Sequence, residues 1–369
     1  MEKCAETKKQ YEELLDYKRD FNLLIKNIRD KTTREQLKTK RKTIESMKQK
    51  LEKEFFPEKA VFVEQYRKQV AMMERLGILK WGERAITGID GEKYSLPDEA
   101  GFIRILWKEK KMILRKREHG LGRIMLVPFG MPLETLIGIY GEALKAHFRA
   151  KKLFYPKENP EDADELIPSE KFDENEPVWT SSDWLDGSKP VGQRGKDISG
   201  EIVYYAQKFE KGDNGGGLTK REILEKQKEQ KSATAGWRIL MVETEDVIPR
   251  KGKGETKGGR KQIEAGKSVN EYMEILKSPE YAHEQGMALE DWLMHAIVTL
   301  EEKNQVLDDL GGNGCFCRLP GSFNFSSGWL ADAFWARASR RARLGNDVPM
   351  VENALGGFRP AVEINNIGF

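Results

Sequence analysis

The sequence predicts an α+β protein, helical in its first half and strand-rich in its second. Two contrasting textures carry that expectation. Residues 1–56 contain no Gly or Pro and place apolar side chains at steps of three and four, the spacing of one helix face. From about residue 171 onward Gly and aromatic residues become frequent. There, EIVYYAQKF (201–209) and WRILMVE (237–243) are rich in β-branched and aromatic types and read as strands. The expected organisation is a helical, coiled-coil-like segment over 1–56, a mainly helical region over 57–170 and a strand-bearing domain over 171–369.

In the first segment Tyr11, Leu14, Phe21, Ile25 and Ile28 form one stripe, with Lys18 in a seam position. Leu37, Ile44, Met47 and Leu51 form a second, interrupted at Lys40, and Thr32-Thr33 lies between them, where a helical hairpin turns. A stripe of this period is buried against a partner helix, which points to a hairpin and to a homo-oligomer built through it. A solvated helix lying on the rest of the chain satisfies the same pattern.

In 57–170, helices are expected over 61–76 (Val61, Val63, Tyr66, Val70, Met73, Leu76) and 133–148 (Leu136, Ile137, Tyr140, Leu144, Phe148). Short strands are expected at 102–107 and 123–129, and an acidic loop at 158–176. Further on, GDNGGG (212–217) reads as a flexible loop. RKGKGETKGGRK (250–261) reads as an exposed loop with little to bury. Helices follow near 268–276 and 288–303, the latter with Leu289, Trp292, Leu293, Ala296, Ile297 and Leu300 on one face.

Composition narrows the function classes. The net charge of +3 is too close to neutral to argue nucleic-acid binding for the whole chain. No apolar run approaches the ~18 residues that span a bilayer, so no membrane insertion is expected. The start, MEKCAETKKQYEELL, lacks a secretory core, which makes the cytoplasm the default location and leaves surface or particle display open. Three cysteines and four histidines make neither a disulfide framework nor a zinc site, and no cofactor or metal is expected. Gly266-Lys267-Ser268 ends like a phosphate-binding loop, but Lys261 stands where that loop needs Gly.

Local features have bland and functional readings side by side. Cys315 and Cys317 share one face of a strand and are expected as buried reduced thiols. RASRRAR (337–343) suits phosphate or carboxylate, and equally suits a charged strand edge that discourages pairing. Asp308-Asp309, before a Gly-rich turn, reads as turn chemistry. From Asp332 the chain alternates: Ala333, Trp335 and Arg337 share one strand face, Asp332, Phe334, Ala336 and Ala338 the other. Trp335 suits a core, and Arg337 beside it requires a carboxylate or carbonyl partner. Phe334 beside Asp332 suits an exposed contact surface, or alternatively the cap of a core edge.

The stretch from Gly311 resembles the end of the formylglycine-generating enzyme-like, C-type-lectin fold. The residues that carry the likeness are Arg318, Gly321, Ser322 and Phe323, then Ala342 and Arg343, then Gly357, Phe358 and Arg359. The likeness is closer to the variable proteins of diversity-generating retroelements. It extends upstream through Leu300-Glu301-Glu302, the 305–309 run, Val203-Tyr204-Tyr205, Thr219-Lys220 and Gly236-Trp237, covering roughly 175–365. Leu330-Ala331 stands where that branch usually has Val-Pro, and Asn365–Phe369 runs beyond its closing strand.

The resemblance implies a C-type-lectin-like domain that binds a ligand, a protein or another macromolecule, through a hypervariable surface. The implied ligand-binding positions are Asn324, Phe325, Asp332, Phe334, Ala336, Ala338, Ser339, Arg340, Asn346 and Asp347, with Gly321, Ser322, Trp335, Gly357 and Arg359 as scaffold. It also argues against enzyme activity. The enzymes of the family use two cysteines just after the Gly-Ser-aromatic strand, and here that stretch is NFSSGW (324–329). The alternatives are a formylglycine-generating-type enzyme working through other residues, and a nucleic-acid-binding protein using the Arg340–Arg343 run.

Overall fold

The computed structural model describes residues 58–80, 82–156, 166–184, 200–312 and 314–364 and three isolated positions before them, with backbone only at 154–156 and 166–168. The helical hairpin expected over 1–56 lies outside the described residues. The chain divides into two compact units, Met1–Glu64 and Gln65–Phe369. Helix α1 (Lys59–Arg75) runs across that division, and every later element belongs to the second unit.

The second unit is mixed α+β. A hairpin of β1 (Ala85–Thr87) and β2 (Lys93–Ser95) leads into α2 (Glu99–Lys108) and α3 (Lys110–Glu118). Residues 102–107, expected as a strand, lie inside α2. Asp98 caps that helix by accepting the Gly101 N–H, and Phe102 and Leu106, four apart, are its buried pair. The aromatic and β-branched content of the segment had suggested a strand, but cap and spacing decide for helix.

Strand β3 (Arg123–Val127) and helix α4 (Leu133–Arg149) fall where the sequence places them. The pair β4 (Phe154–Pro156) and β5 (Leu166–Pro168) follows, then β6 (Val178–Thr180), β7 (Ile202–Tyr204) and β8 (Leu218–Thr219). Helix α5 (Lys220–Glu229) opens on a capping box between Thr219 and Glu222. Next come β9 (Arg238–Val242), β10 (Thr256–Lys257), β11 (Arg260–Lys261) and helix α6 (Val269–Leu276), capped by Ser268 and Glu271. Strand β12 (Glu284–Gly286) precedes the long buried helix α7 (Leu289–Lys303). The chain closes with β13 (Asp309–Leu310), β14 (Phe316–Asn324), β15 (Trp329–Ala336), β16 (Arg341–Asp347), β17 (Gly356–Phe358) and β18 (Pro360–Glu363).

Two sheets organise these strands. The smaller runs β12-β18-β9-β3, so β3 joins the sheet made by residues far down the chain. Its outer edge is covered by side chains. Gln65 Oε1 accepts the Ile124 N–H at 2.7 Å, and Gln69 accepts from Leu126 N–H at 2.8 Å while donating to the Ile124 carbonyl at 2.6 Å. Two amides four residues apart on α1 thus stand in for a neighbouring strand and satisfy backbone groups that burial would otherwise orphan. The larger, curled sheet runs β6-β16-β15-β14-β7-β8, with β13 alongside β15 and β17 alongside β14.

The interior holds buried ion pairs as well as apolar side chains. Arg238 grips Asp291 with both carboxylate oxygens within 2.7 Å, Lys220 meets Glu290 at 2.8 Å, and Arg260 and Lys116 share Glu284. Residues 250–259 and 261 are open to solvent as expected, and Arg260 is the exception. Gly258 and Gly259, both at positive φ, turn a short β10–β11 hairpin, and the following Arg260 is fully buried on Glu284 and Glu243. Asp308 and Asp309, read as turn residues, are ion-pair partners: Asp308 binds Arg359 and the Trp292 indole N–H, and Asp309 binds Arg337.

Candidate ligand-binding surface

The predicted alternation along β15 holds. Ala333 and Trp335 are buried, while Asp332 and Phe334 are half-buried on the other side. Behind the strand the Trp335 ring stacks on Phe172 at 6.1 Å, and Phe172 meets Phe148 on α4. Arg337 obtains the carboxylate it required, with its Nε 2.8 Å from both oxygens of Asp309.

The opposite face is ordered in cross-strand rows. Phe334 is level with Arg343, and Arg343 with Trp179 on β6. The Arg343 guanidinium lies 4.4 Å from the Trp179 ring centre and 5.7 Å from that of Phe334. Phe316 extends the row on β14, 6.2 Å from Phe334. The next row is Arg318, Asp332 and Gly345. A Cβ on Gly345 would come within 2.3 Å of the Asp332 carboxylate, so the glycine makes room for that acid. Leu330 is level with Asp347 in the row beyond.

The 348–355 segment crosses this face. It leaves β16 at Asp347 and rejoins at β17 alongside β14, and the Arg318 side chain donates to the Val351 carbonyl at 2.7 Å and pairs with Asp347 at 2.5 Å. Beneath it, burial and then the neighbouring Asp347 push the Asp332 carboxyl up to about 7. One Asp332 oxygen is buried without a hydrogen-bond partner. Burial also raises Asp347, against the lowering effect of Arg318.

The segment carries an apolar rim. Met350 is 77% exposed, and Val348, Val351 and Leu355 are also open to solvent. Elsewhere only Val61, Val247 and Trp329 among the described large apolar residues are as exposed. Such clustering on one side of a sheet is the kind of patch that marks an interaction site.

The ten expected positions fall in three places. Asp332, Phe334, Ala336 and Asp347 lie on this face, though Ala336 is nearly covered and Asp347 is committed to Arg318 and the Val348 N–H. Ala338, Ser339 and Arg340 form the β15–β16 turn, where Arg340 borders a cleft of about 180 Å³ with Lys171 and Trp335. Asn324, Phe325 and Asn346, expected in the loops adjoining that face, lie at the end of the sheet. Asn324 is buried, donates to the Asp183 carbonyl at 2.8 Å and accepts the N–H groups of Ser326 and Ser327. Phe325 packs against the cluster of Val203, Phe323 and Leu330. Asn346 points to the opposite face and donates to the Asp183 carboxylate. These three hold the end of the sheet together.

Trp179, Phe316, Arg343 and the 348–355 rim were missing from the expected surface. Apolar residues in the otherwise polar stretch NDVPMVENAL were a readable hint. The pairing of β6 with β16 was not.

Two of the four arginines of the basic run are neutralised. Arg337 pairs with Asp309, and Arg341 with Glu176 and Asp173. Cys315 and Cys317 are free and buried, and burial pushes both thiols up. Among the described residues no group of His, Cys, Asp or Glu is arranged to hold a metal ion, and no helix is long and apolar enough to cross a membrane.

No family model matches the chain, and no curated protein or solved structure matches it either.

Proposed function

We propose that this chain is a recognition protein that displays a variable ligand-binding surface on a C-type-lectin-like scaffold, as the diversified target of a retroelement. The observation that carries the reading is the asymmetry of the large sheet. One face buries Trp335 and Ala333, and the other bears the Phe316-Phe334-Arg343-Trp179 row beside an exposed apolar rim. A half-exposed aromatic row on a rigid sheet is what adaptable recognition uses.

Scaffold positions support the same reading. A Cβ at Gly321 would come within 2.7 Å of the Met287 and Ala288 backbone, and Ser322 Oγ accepts the Leu289 N–H at 3.0 Å. These residues fix the sheet to α7 and leave the other face free to vary. Thiols that burial holds protonated fit binding better than thiolate chemistry.

The test is genomic. A near-identical copy of the 3′ coding end, differing mainly at adenines and lying beside a reverse-transcriptase gene, is the expected finding. Differences should fall on codons such as those for Phe334 and Ala338. Their absence, or their concentration on Trp335 and Gly321, would sink the diversification claim.

A further inference from the structure

The described guanidiniums of this sheet differ in one respect. Arg318, Arg337 and Arg341 are each tied to a carboxylate. Arg343 is not: among the described residues no hydrogen bond or ion pair engages its side chain, and its Nε is buried without a partner. Asp332 feels its charge, yet no ion pair joins the two. The side chain instead lies over rings, 4.4 Å from the centre of Trp179 and 5.7 Å from that of Phe334. Cation–π contact holds the guanidinium without using its N–H donors. A guanidinium fixed in this way loses little freedom when it receives a planar two-oxygen acceptor.

The surroundings indicate which acceptor. Met350, Val351 and Leu355 form an apolar rim on the same side of the sheet, and apolar rims suit protein side chains. Arg318 and Arg341 on this face are already neutralised by Asp347 and Glu176, so the face lacks the run of free cations that tracks a phosphate backbone. We propose that Arg343, clamped between Trp179 and Phe334, anchors a carboxylate side chain of a protein partner whose neighbouring apolar residues settle on the 348–355 rim. This rests on the display-surface reading above and names the chemistry of its ligand.

The experiment is selection of a random-peptide library on the full chain at neutral pH, followed by affinity measurement on the enriched peptides. The expected peptides carry Asp or Glu next to Leu, Phe or Met. Their affinity should drop about ten- to hundredfold on Arg343→Gln, the loss of a charge-assisted contact. It should drop nearly as far on Arg343→Lys, which keeps the charge but not the fork, and stay unchanged on Arg221→Gln, an exposed arginine of α5 outside this face. Thermal melting identifies any variant that fails to fold, and Trp179→Phe then supplies a milder disturbance of the clamp with the same expected direction. Enriched peptides without an acidic residue, or indifferent to Arg343→Gln and Arg343→Lys, overturn the anchor. Should those peptides still be lost on Met350→Asp, the display surface stands without it. Peptides indifferent to both Arg343 and Met350 overturn the two together. Single-stranded oligonucleotide binding that depends on Arg343, with no acidic peptide selected, replaces the protein partner with nucleic acid and overturns the proposal.

Discussion

Asp332 shows how a single residue comes to carry a surface's chemistry. Its position on the open side of β15 follows from alternation alone, but its protonation follows from what lies over and beside it: the 348–355 crossing, Asp347 and the absent partner of one oxygen. The folded carboxyl sits at about 7 against an ordinary 3.8, so between those values the folded state holds a proton that the unfolded chain has released. Stability therefore falls as pH rises from about 4 to about 7 and stays at its lower level above that. Asp332→Asn should raise the melting temperature at pH ~8 and lose that advantage near pH ~4. The ceiling is about 4 kcal/mol, reduced by the solvent that reaches the half-buried group. Equal melting shifts at both pH values would show that Asp332 is not the titrating group. Alternation, legible in sequence, places Asp332 and Phe334 correctly. It says nothing of the contacts of Asn324 and Asn346, because their partner, Asp183, lies 141 and 163 residues away and no local pattern announces it.

At the scale of elements, periodicity placed α6 near Ser268 but left α5 unplaced, although both helices open on complete capping boxes, Thr219-x-x-Glu222 and Ser268-x-x-Glu271. Thr219→Ala should cost about 1 kcal/mol by denaturant unfolding, with the slope of the transition unchanged. A larger group of effects is expected where α1 guards β3. Gln69 gives one donor and one acceptor to the strand at Ile124 and Leu126. Gln69→Leu preserves the volume and strands both backbone groups, so a loss of about 2–4 kcal/mol is expected, with faster amide exchange at Leu126. Unchanged exchange there would mean that water replaces the side chain. Sequence spacing places α1 and β3 separately, since each has its own periodicity. Their mutual satisfaction through Gln65 and Gln69 depends on how two elements some sixty residues apart meet.

For the whole molecule, the decisive feature is the set of ion pairs inside. Arg359 links the last strands to Asp308, which also accepts the Trp292 N–H of α7 at 2.7 Å. Arg359→Met leaves Asp308 charged and half-satisfied in the core, and should cost about 3–5 kcal/mol. Adding Asp308→Asn should restore part of that loss, because the penalty belongs to the unpaired charge more than to the missing contact. A double variant less stable than the sum of the singles would reject this. By itself the sequence determined the α+β character, helices α1, α4, α6 and α7, and the alternation of the strand from Asp332 with its apolar face, because these follow from periodicity within a dozen residues. Only the tertiary structure decided which polar residues are scaffold and which are surface. Charge looks the same in a sequence whether it faces water or a buried partner. Arg260 and Arg359 found carboxylates inside, Arg337 and Arg341 found them at the sheet edge, and Arg343 found two aromatic rings and was left with its donors free.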